Sequence, residues 1–236
     1  MESKSPIIEL PNSLLSEAVG DHIRSGIEKI ITIWLNGVKD DSYRASYFIR
    51  SFNEMPEYEQ IALSLCEGSI LDIGAGAGAH SAFLTTKNKM VTALESDLGF
   101  VTLLSLIPNA TVVHQDLFSY KPTQTFDTIL LLMNGLGISQ SVSKLPEMFD
   151  KLAVLLSEKG KILVEITDYK HSPEYDPDTM YNPEVTFRLM YNKKFSEEFT
   201  WLYPDLEMVT EQCERLNLKN KIIYHKDETL LLEISK

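Results

Sequence analysis

Four carboxylate or amide side chains each stand where a short apolar run of the sequence ends: Asp72, Glu95, Asp116 and Asn134. Such groups accept hydrogen bonds from hydroxyl, amino and amide groups. Because a buried, unpaired carboxylate is costly, Asp72 requires hydrogen bonds from loop amides or a cationic group beside it. The four residues together predict a site for a polar ligand.

A glycine-rich loop, LDIGAGAGAHS at 71–81, begins at the first of these positions. Gly74, Gly76 and Gly78 allow a sharp turn and a close approach of the backbone to a ligand. The helix that follows offers free N–H groups to a polar or anionic group. The loop satisfies the NAD fingerprint, but S-adenosylmethionine sites use glycines at the same spacing, and a lone match is weak evidence. A tight turn with no ligand is the third interpretation.

The elements around this loop predict a parallel sheet with helices on both faces, because apolar runs alternate with helical stretches after Gly68. Ligands of such sheets lie beyond the carboxyl ends of the strands, so the four polar residues are expected to meet there. The predicted strands are SILDI, MVTALES, TVVHQD, FDTILLLMN and KILVEIT. Two further pairs of β-like runs follow, EVTFRLMY with FSEEFTWLY and KIIYH with TLLLEIS.

The N-terminal part is predicted to be helical. Apolar residues recur at helical spacing from Asn12 to about Asn36, and SYRASYFIRSF and EYEQIALSLC continue the pattern. We therefore predict a helical extension or lid at 1–66. A domain at 67–236 follows, with a substrate-side insertion at about 168–204.

Composition excludes several classes of function. A formal net charge of −12 over 236 residues disfavours nucleic acid as a partner. Cys66 and Cys213 are too far apart in the sequence for a metal motif and are expected to be reduced. The longest apolar run, Ile129 to Met133, is too short to span a bilayer, and MESKSPIIELPNS lacks the apolar stretch of a signal peptide. We expect a cytoplasmic protein with no metal site, and the oligomeric state stays open.

On these motifs the sequence resembles the class I S-adenosylmethionine-dependent methyltransferases over about residues 67–236. The matching features are LDIGAGAG, the acid in ALESD, QDLF, FDTILLLMN, LLSEKGKILVEI and the terminal hairpin. The resemblance implies a doubly wound α/β fold with a mostly parallel seven-stranded sheet, order 3-2-1-4-5-7-6, strand 7 antiparallel. The N-terminal helical extension and an extra β-hairpin after strand 5 complete the expected fold. An NAD dehydrogenase is not expected to show the terminal hairpin or Asp72.

The resemblance also implies a cofactor, S-adenosylmethionine, and roles for the residues that match. Asp72 and the glycine loop would hold its methionine part, Glu95 its ribose, and Asp116 with Leu117 its adenine, while Asn134 would lie near the reacting methyl group. The cofactor-binding residues expected in full are Asp72, Gly74, Ala75, Gly76, Gly78, Glu95, Ser96, Asp116, Leu117 and Asn134.

The acceptor is expected to be a small molecule methylated on oxygen or nitrogen. YFIRSFNEMPEYEQIAL and EFTWLYPD are similar to small-molecule-type bacterial methyltransferases, and no NPPY-type tetrapeptide of nucleobase or glutamine methylation follows the fourth strand. His171 is the candidate general base, although a solvated loop histidine is the alternative. The candidate substrate-binding residues are Tyr47, Arg50, Tyr169, His171, Tyr191 and Trp201. An NAD-dependent oxidoreductase and a non-catalytic S-adenosylmethionine-binding protein remain the alternative functions.

Overall fold

Twelve strands form two sheets in the part of the chain that the computed structural model describes, residues 13–171 and 182–236. The strands are β1 (Ile30–Leu35), β2 (Val38–Arg44), β3 (Ser69–Ile73), β4 (Met90–Glu95), β5 (Ala110–His114), β6 (Phe126–Leu131), β7 (Leu156–Thr167), β8 (Glu184–Tyr191), β9 (Lys194–Phe195), β10 (Phe199–Leu202), β11 (Lys219–Lys226) and β12 (Thr229–Ser235). The α-helices are α1 (Leu14–Ser25), α2 (Glu57–Ser64), α3 (Ala79–Thr86), α4 (Leu98–Leu104), α5 (Leu145–Leu155) and α6 (Leu206–Arg215).

The larger sheet has seven strands in the order β11-β12-β7-β6-β3-β4-β5. Strand β12 runs antiparallel to both β7 and β11, and the other neighbours pair in parallel. Counted along the chain within this sheet, the order is 3-2-1-4-5-7-6, so the predicted fold class is confirmed. The strand order reverses between β3 and β6, and the crevice at such a reversal is the usual ligand site of open α/β sheets.

Neighbouring side chains along a strand of this sheet face two separate hydrophobic cores. Along β6, Ile129 and Leu131 pack in the core that contains α5 and α6, whereas Leu130 packs in the core that contains α2 and α3. All three are fully buried. The continuous apolar run of β6 follows from this, because a strand covered on both faces has no solvent-facing side.

The N-terminal extension is not all helical, and this part of the fold prediction was wrong. Helix α1 ends at Ser25, where Gly26 adopts a left-handed conformation (φ 66°) and its N–H donates to the His22 carbonyl. The isoleucines beyond it belong to β1, which turns through Asn36 and Gly37, both with positive φ, into β2. Asn-Gly at such a turn is a strong hairpin signal, and it overrides the helical spacing of the isoleucines. The second predicted helix is strand up to Arg44 and then a 3-10 helix, Ala45–Ile49.

This hairpin joins the predicted insertion to form the second sheet. Strand β1 pairs antiparallel with β8, so the order is β10-β8-β1-β2, with β9 also paired to β8. Helix α1 packs on this sheet through Ala18 and Val19, which are fully buried. The predicted hairpin after the fifth strand of the large sheet is therefore present, but two of the five strands in its sheet come from the N-terminal extension. The predicted domain boundaries at 66 and 67 stay a prediction.

Two further sequence-based expectations concern single features. None of the described helices is long and apolar enough to cross a bilayer. Within residues 13–171 and 182–236, no group of His, Cys, Asp and Glu side chains is arranged to hold a metal ion.

The two sheets meet at Gly137, which lies in a 3-10 helix, Gly135–Ser139. A Cβ at this position would overlap the Trp201 indole, whose Nε1–H donates to the Asn134 carbonyl at 3.0 Å. We expect Gly137→Ala to lower the free energy of unfolding by about 1–3 kcal/mol through overpacking. Urea denaturation measures this change.

The matched control is Gly20→Ala within α1, where the new Cβ would meet only the flexible Arg24 guanidinium. This change should be neutral or stabilise the helix by about 0.5–1 kcal/mol. Equal stability of Gly137→Ala and the wild type would show that the two sheets are not closely packed at Trp201.

Candidate active site

A cavity of about 690 Å³ opens at the carboxyl ends of β3, β4 and β6, between the two sheets. Its polar side comes from the large sheet and includes the glycine loop and the predicted Asp72, Glu95, Asp116 and Asn134. Its other side comes from the second sheet and the 3-10 helix after β2, and it is mostly aromatic. The residues of this side are Tyr43, Tyr47, Phe48, Phe187, Leu189, Phe199, Trp201 and Tyr203.

Glu95, the last residue of β4, binds the backbone of the glycine loop. The Glu95 carboxylate accepts hydrogen bonds from the backbone N–H groups of Gly76 at 2.7 Å, Ser96 at 2.7 Å and Asp97 at 2.9 Å. Burial nevertheless raises the pKa of this carboxyl, with the three N–H groups acting against the rise. The loop glycines 74, 76 and 78 all have positive φ, as the sequence predicted. Gly78 does not line the cavity; a side chain there would collide with Leu104 and Ile107.

Asp72 lies at the base of the same loop and is 3% exposed. The sequence predicted hydrogen bonds from loop amides or a cationic neighbour. The Asp72 carboxylate accepts a hydrogen bond from the Ser81 hydroxyl of α3, at 2.6 Å, and another from the Ser81 backbone. Burial raises the pKa of the Asp72 carboxyl, while His80 and these two hydrogen bonds act against the rise. A carboxylate has about four acceptor sites, so Asp72 keeps acceptor capacity for a ligand.

The segment after β5 brings Asp116 and Leu117 to the rim of the cavity. The Asp116 carboxylate is exposed and accepts hydrogen bonds from the backbone N–H of Phe118 at 2.9 Å and of Ser119 at 3.3 Å. These bonds stabilise the turn and leave lone pairs available, since a carboxylate has about four acceptor sites. Leu117 is 3% exposed and faces both the core and the cavity.

Asn134 follows β6 in a strained turn. Met133 and Asn134 both have positive φ, 56° and 55°, which costs non-glycine residues of order 1–3 kcal/mol each. The Asn134 side chain accepts from Thr167 N–H at 2.8 Å and donates to Thr167 Oγ1 at 3.0 Å. Its backbone N–H donates to the Glu165 carboxylate at 2.5 Å. The amide group of Asn134 is thus used to hold β6 against β7, and the residue presents its backbone as well as its side chain to the cavity.

The six residues predicted at the acceptor are divided by the structure. Tyr47, Arg50 and Trp201 line the cavity, whereas Tyr169, His171 and Tyr191 are not among its lining residues. Tyr191 faces α1, where its hydroxyl donates to Asp21 at 2.8 Å. His171 stands 3.1 Å from the Asp168 carboxylate with a side chain 43% exposed, and Tyr169 packs behind Tyr203. The candidate general base is therefore outside the cavity, in agreement with the alternative of a solvated loop histidine.

Solved structures share this arrangement of strands. A methyltransferase from Bacteroides fragilis, in complex with S-adenosylhomocysteine, is 28% identical, covers 94% of this chain and 93% of its own, and superimposes with a TM-score of 0.82. An S-adenosylmethionine-dependent methyltransferase from Clostridium acetobutylicum has a TM-score of 0.57 at 14% identity, over 78% of this chain and 93% of its own. The chain has the class I S-adenosylmethionine-dependent methyltransferase fold.

A third relative, an amino pentose methyltransferase from Micromonospora echinaspora solved with S-adenosylmethionine, has a TM-score of 0.57 at 14% identity, over 81% of this chain and 95% of its own. No family model matches the sequence, and no curated protein matches it. The structural relatives confirm the predicted family and enzyme class, and the predicted cofactor is the one this family uses. The alternatives of an oxidoreductase and of a non-catalytic protein gain no support from them.

Sequence reasoning missed two buried acids of this methyltransferase. Glu59 of α2 is fully buried, and Glu165 of β7 is 2% exposed and lines the cavity. A charged residue inside KILVEIT, a strand buried on both faces, was the signal that could have identified Glu165. Glu59 gave no such signal, because EYEQ reads as the polar first turn of an amphipathic helix.

Glu59 holds two side chains at the edge of the cavity. One oxygen of its carboxylate accepts a hydrogen bond from the Arg50 guanidinium, and the other lies 3.1 Å from His80 Nε2. Burial alone would raise the pKa of Glu59, but His80 and Arg50 together bring the pKa below its usual value. Arg50 also stacks on Tyr47, 4.0 Å from the ring centroid. Glu54, four residues after Arg50, instead caps its own 3-10 helix through Ser51.

We expect Glu59→Gln to lower the free energy of unfolding by about 3 kcal/mol, because it leaves the Arg50 charge buried without a counter-charge. Chemical denaturation measures the loss. Glu57→Gln is the matched control on the same helix, since Glu57 is exposed and should change stability by less than about 0.5 kcal/mol. Similar stabilities of the two variants would contradict the buried ion pair.

Proposed function

We propose that this methyltransferase transfers the methyl group of S-adenosylmethionine to the oxygen or nitrogen of a small molecule. The observation that carries the proposal is one cavity with two unlike sides, polar at the strand ends and aromatic on the second sheet. Its volume of about 690 Å³ suits small-molecule ligands, whose sites span roughly 300–1,000 Å³. The amino pentose methyltransferase among the relatives supports a small acceptor. The cytoplasmic location expected from the sequence stays a prediction.

We assign the residues of the polar side to the parts of the cofactor as the family resemblance implies. Asp72, buried and with acceptor capacity beyond its hydrogen bonds from Ser81, is assigned to the amino group of the methionine part. Glu95 retains acceptor capacity for ribose hydroxyls beside the three N–H groups that it already binds. Asp116 and Leu117 at the rim are assigned to the adenine, and Asn134 to the region of the methyl group.

Arg50, predicted at the acceptor, fits the cofactor better. Its guanidinium donates to the Tyr47 carbonyl and to Glu59, and Arg50 lines the cavity. The guanidinium is permanently charged and pairs well with carboxylates. We assign the methionine carboxylate to the Arg50 guanidinium.

The reaction requires little more than positioning and the exclusion of water. When bound, S-adenosylmethionine would supply a methyl group carried on a positively charged sulfur. A lone pair of the acceptor would attack the methyl carbon in line with the C–S bond and displace the sulfur. The residues of the chain hold the two reactants in contact and keep solvent away. The aromatic side from Tyr47 to Trp201 and Tyr203 provides the cover. A group that removes the acceptor proton is required only where the acceptor enters protonated.

We expect S-adenosylhomocysteine to bind the protein and NADH not to bind, because the site presents Asp72 where a dinucleotide site has apolar residues. Isothermal titration calorimetry with each ligand decides between the two. Binding of NADH without binding of S-adenosylhomocysteine would overturn the proposed function.

The affinity for S-adenosylhomocysteine should fall as the pH is lowered. Burial raises the pKa of Asp72, so the carboxylate takes up a proton as the pH drops through that raised value and loses its pairing with the ligand ammonium. Losing a charge-assisted hydrogen bond costs about 1.5–3 kcal/mol, or roughly 10- to 150-fold in affinity. Titrations at a series of pH values measure the change.

The control ligand is 5′-methylthioadenosine, which keeps the ribose and adenine but lacks the amino-acid part. Its affinity should follow the pH much less, because it does not contact Asp72. Asp72→Asn should remove the difference between the two ligands. A persistent difference in that variant would assign the ammonium to another group.

A further inference from the structure

Glu165 is a buried carboxylate that faces the cavity with unused acceptor capacity. It lies in the buried part of β7, is 2% exposed and lines the cavity. Its one hydrogen bond among the described residues comes from the Asn134 N–H to Oε2, at 2.5 Å. Oε1 accepts none from them. Because buried carboxylates are normally paired, this oxygen indicates a donor that the ligand supplies.

The cofactor does not account for this oxygen. The roles proposed above use Asp72 for the amino group, Glu95 for the ribose and Asp116 for the adenine. Glu165 lies beyond them, since β7 is the next strand after β6 in the sheet and is two strands away from β3. It stands on the side where the acceptor must enter.

The neighbouring Arg50 and His80 side chains do not pair with it either. Both bind the Glu59 carboxylate instead. No ion pair joins Glu165 to a cation within the described parts of the chain, and the Glu59 charge repels it. Burial, and after it that repulsion, raises the pKa of Glu165 to about 7. A carboxyl with this pKa exchanges a proton readily near neutral pH.

Aromatic rings surround the same end of the cavity. Tyr47, Tyr58, Trp201 and Tyr203 all line it. Burial is the main cause that raises the pKa of the Tyr203 hydroxyl and of the Tyr58 hydroxyl, and the Glu165 charge adds to both, so the two hydroxyls stay protonated. Aromatic faces with a nearby carboxylate attract organic cations, through the ring quadrupole and the opposite charge. An alcohol or a carboxylic acid would gain less here, and a carboxylate would be repelled.

We propose that the acceptor is a small amine, held as its ammonium by the Glu165 carboxylate among these aromatic rings, and that Glu165 takes its proton before attack. This inference rests on the proposed methyl transfer. The N–H proton passes to Glu165 Oε1, and the freed nitrogen lone pair forms the new N–C bond to the methyl group. The C–S bond breaks, and its electron pair stays on sulfur. Glu165 returns its proton to solvent when the methylated ammonium leaves.

The test compares three probes of similar size that differ in charge: benzylamine, benzyl alcohol and benzoate. Each is titrated calorimetrically into the full-length protein saturated with S-adenosylhomocysteine. We expect benzylamine to bind about tenfold or more tightly than benzyl alcohol, as for a charge-assisted hydrogen bond, and benzoate to bind most weakly. In Glu165→Gln, which keeps an acceptor for the Asn134 N–H, the preference for the amine should disappear.

The matched control is Glu158→Gln, an exposed position near the start of the same strand β7, which should keep the wild-type preference. Equal binding of the three probes, tighter binding of benzoate, no binding of any probe, or an unchanged preference in Glu165→Gln would each overturn the inference. The wild-type ranking decides the charge preference by itself if the variant does not fold. Failure of S-adenosylhomocysteine to bind would instead count against the proposed function.

Discussion

The hydrogen bond from Asn134 N–H to the buried Glu165 carboxylate fixes the turn on which both halves of the site depend. Met133 and Asn134 adopt left-handed conformations that would relax without such support. Thr167 binds the Asn134 side chain, and the Trp201 indole binds its carbonyl, so the same turn joins β6 to β7 and the large sheet to the second sheet. Contacts with Glu165, Thr167 and Trp201 therefore stabilise this strained turn.

The electrostatics of the cavity follow from how its acids are satisfied. Glu95 is stabilised by backbone N–H groups, and Asp72 by the hydroxyl and the backbone of Ser81. Arg50 and His80, at the edge of the cavity, are both bound to Glu59. Three buried acids, Asp72, Glu95 and Glu165, thus line the cavity, which suits a positively charged sulfonium and, by our inference, an ammonium beside it. Burial rather than charge pairing is the main cause of the raised pKa of Asp72, Glu95 and Glu165.

The second sheet covers the cavity at the strand ends of the large sheet. Strand β1 precedes the large sheet in the sequence, and β8 follows its strand β7. The two strands pair directly, so two distant parts of the sequence build one aromatic cover.

The sequence by itself determined the strands of the large sheet and the polar residues at their ends, since alternation of strands and helices and the position of a residue at a strand end are local properties. The strand order followed from the resemblance to the class I methyltransferases. The sequence did not determine the cover: the isoleucines of β1 have helical spacing and predict a helix, and one strand that pairs with β1, β8, is about 150 residues away. Nor did it place Tyr191 and His171 outside the cavity or Glu59 and Glu165 beside it. Which face of an element is buried, and against what, is decided by packing between distant segments, and only the tertiary structure contains that information.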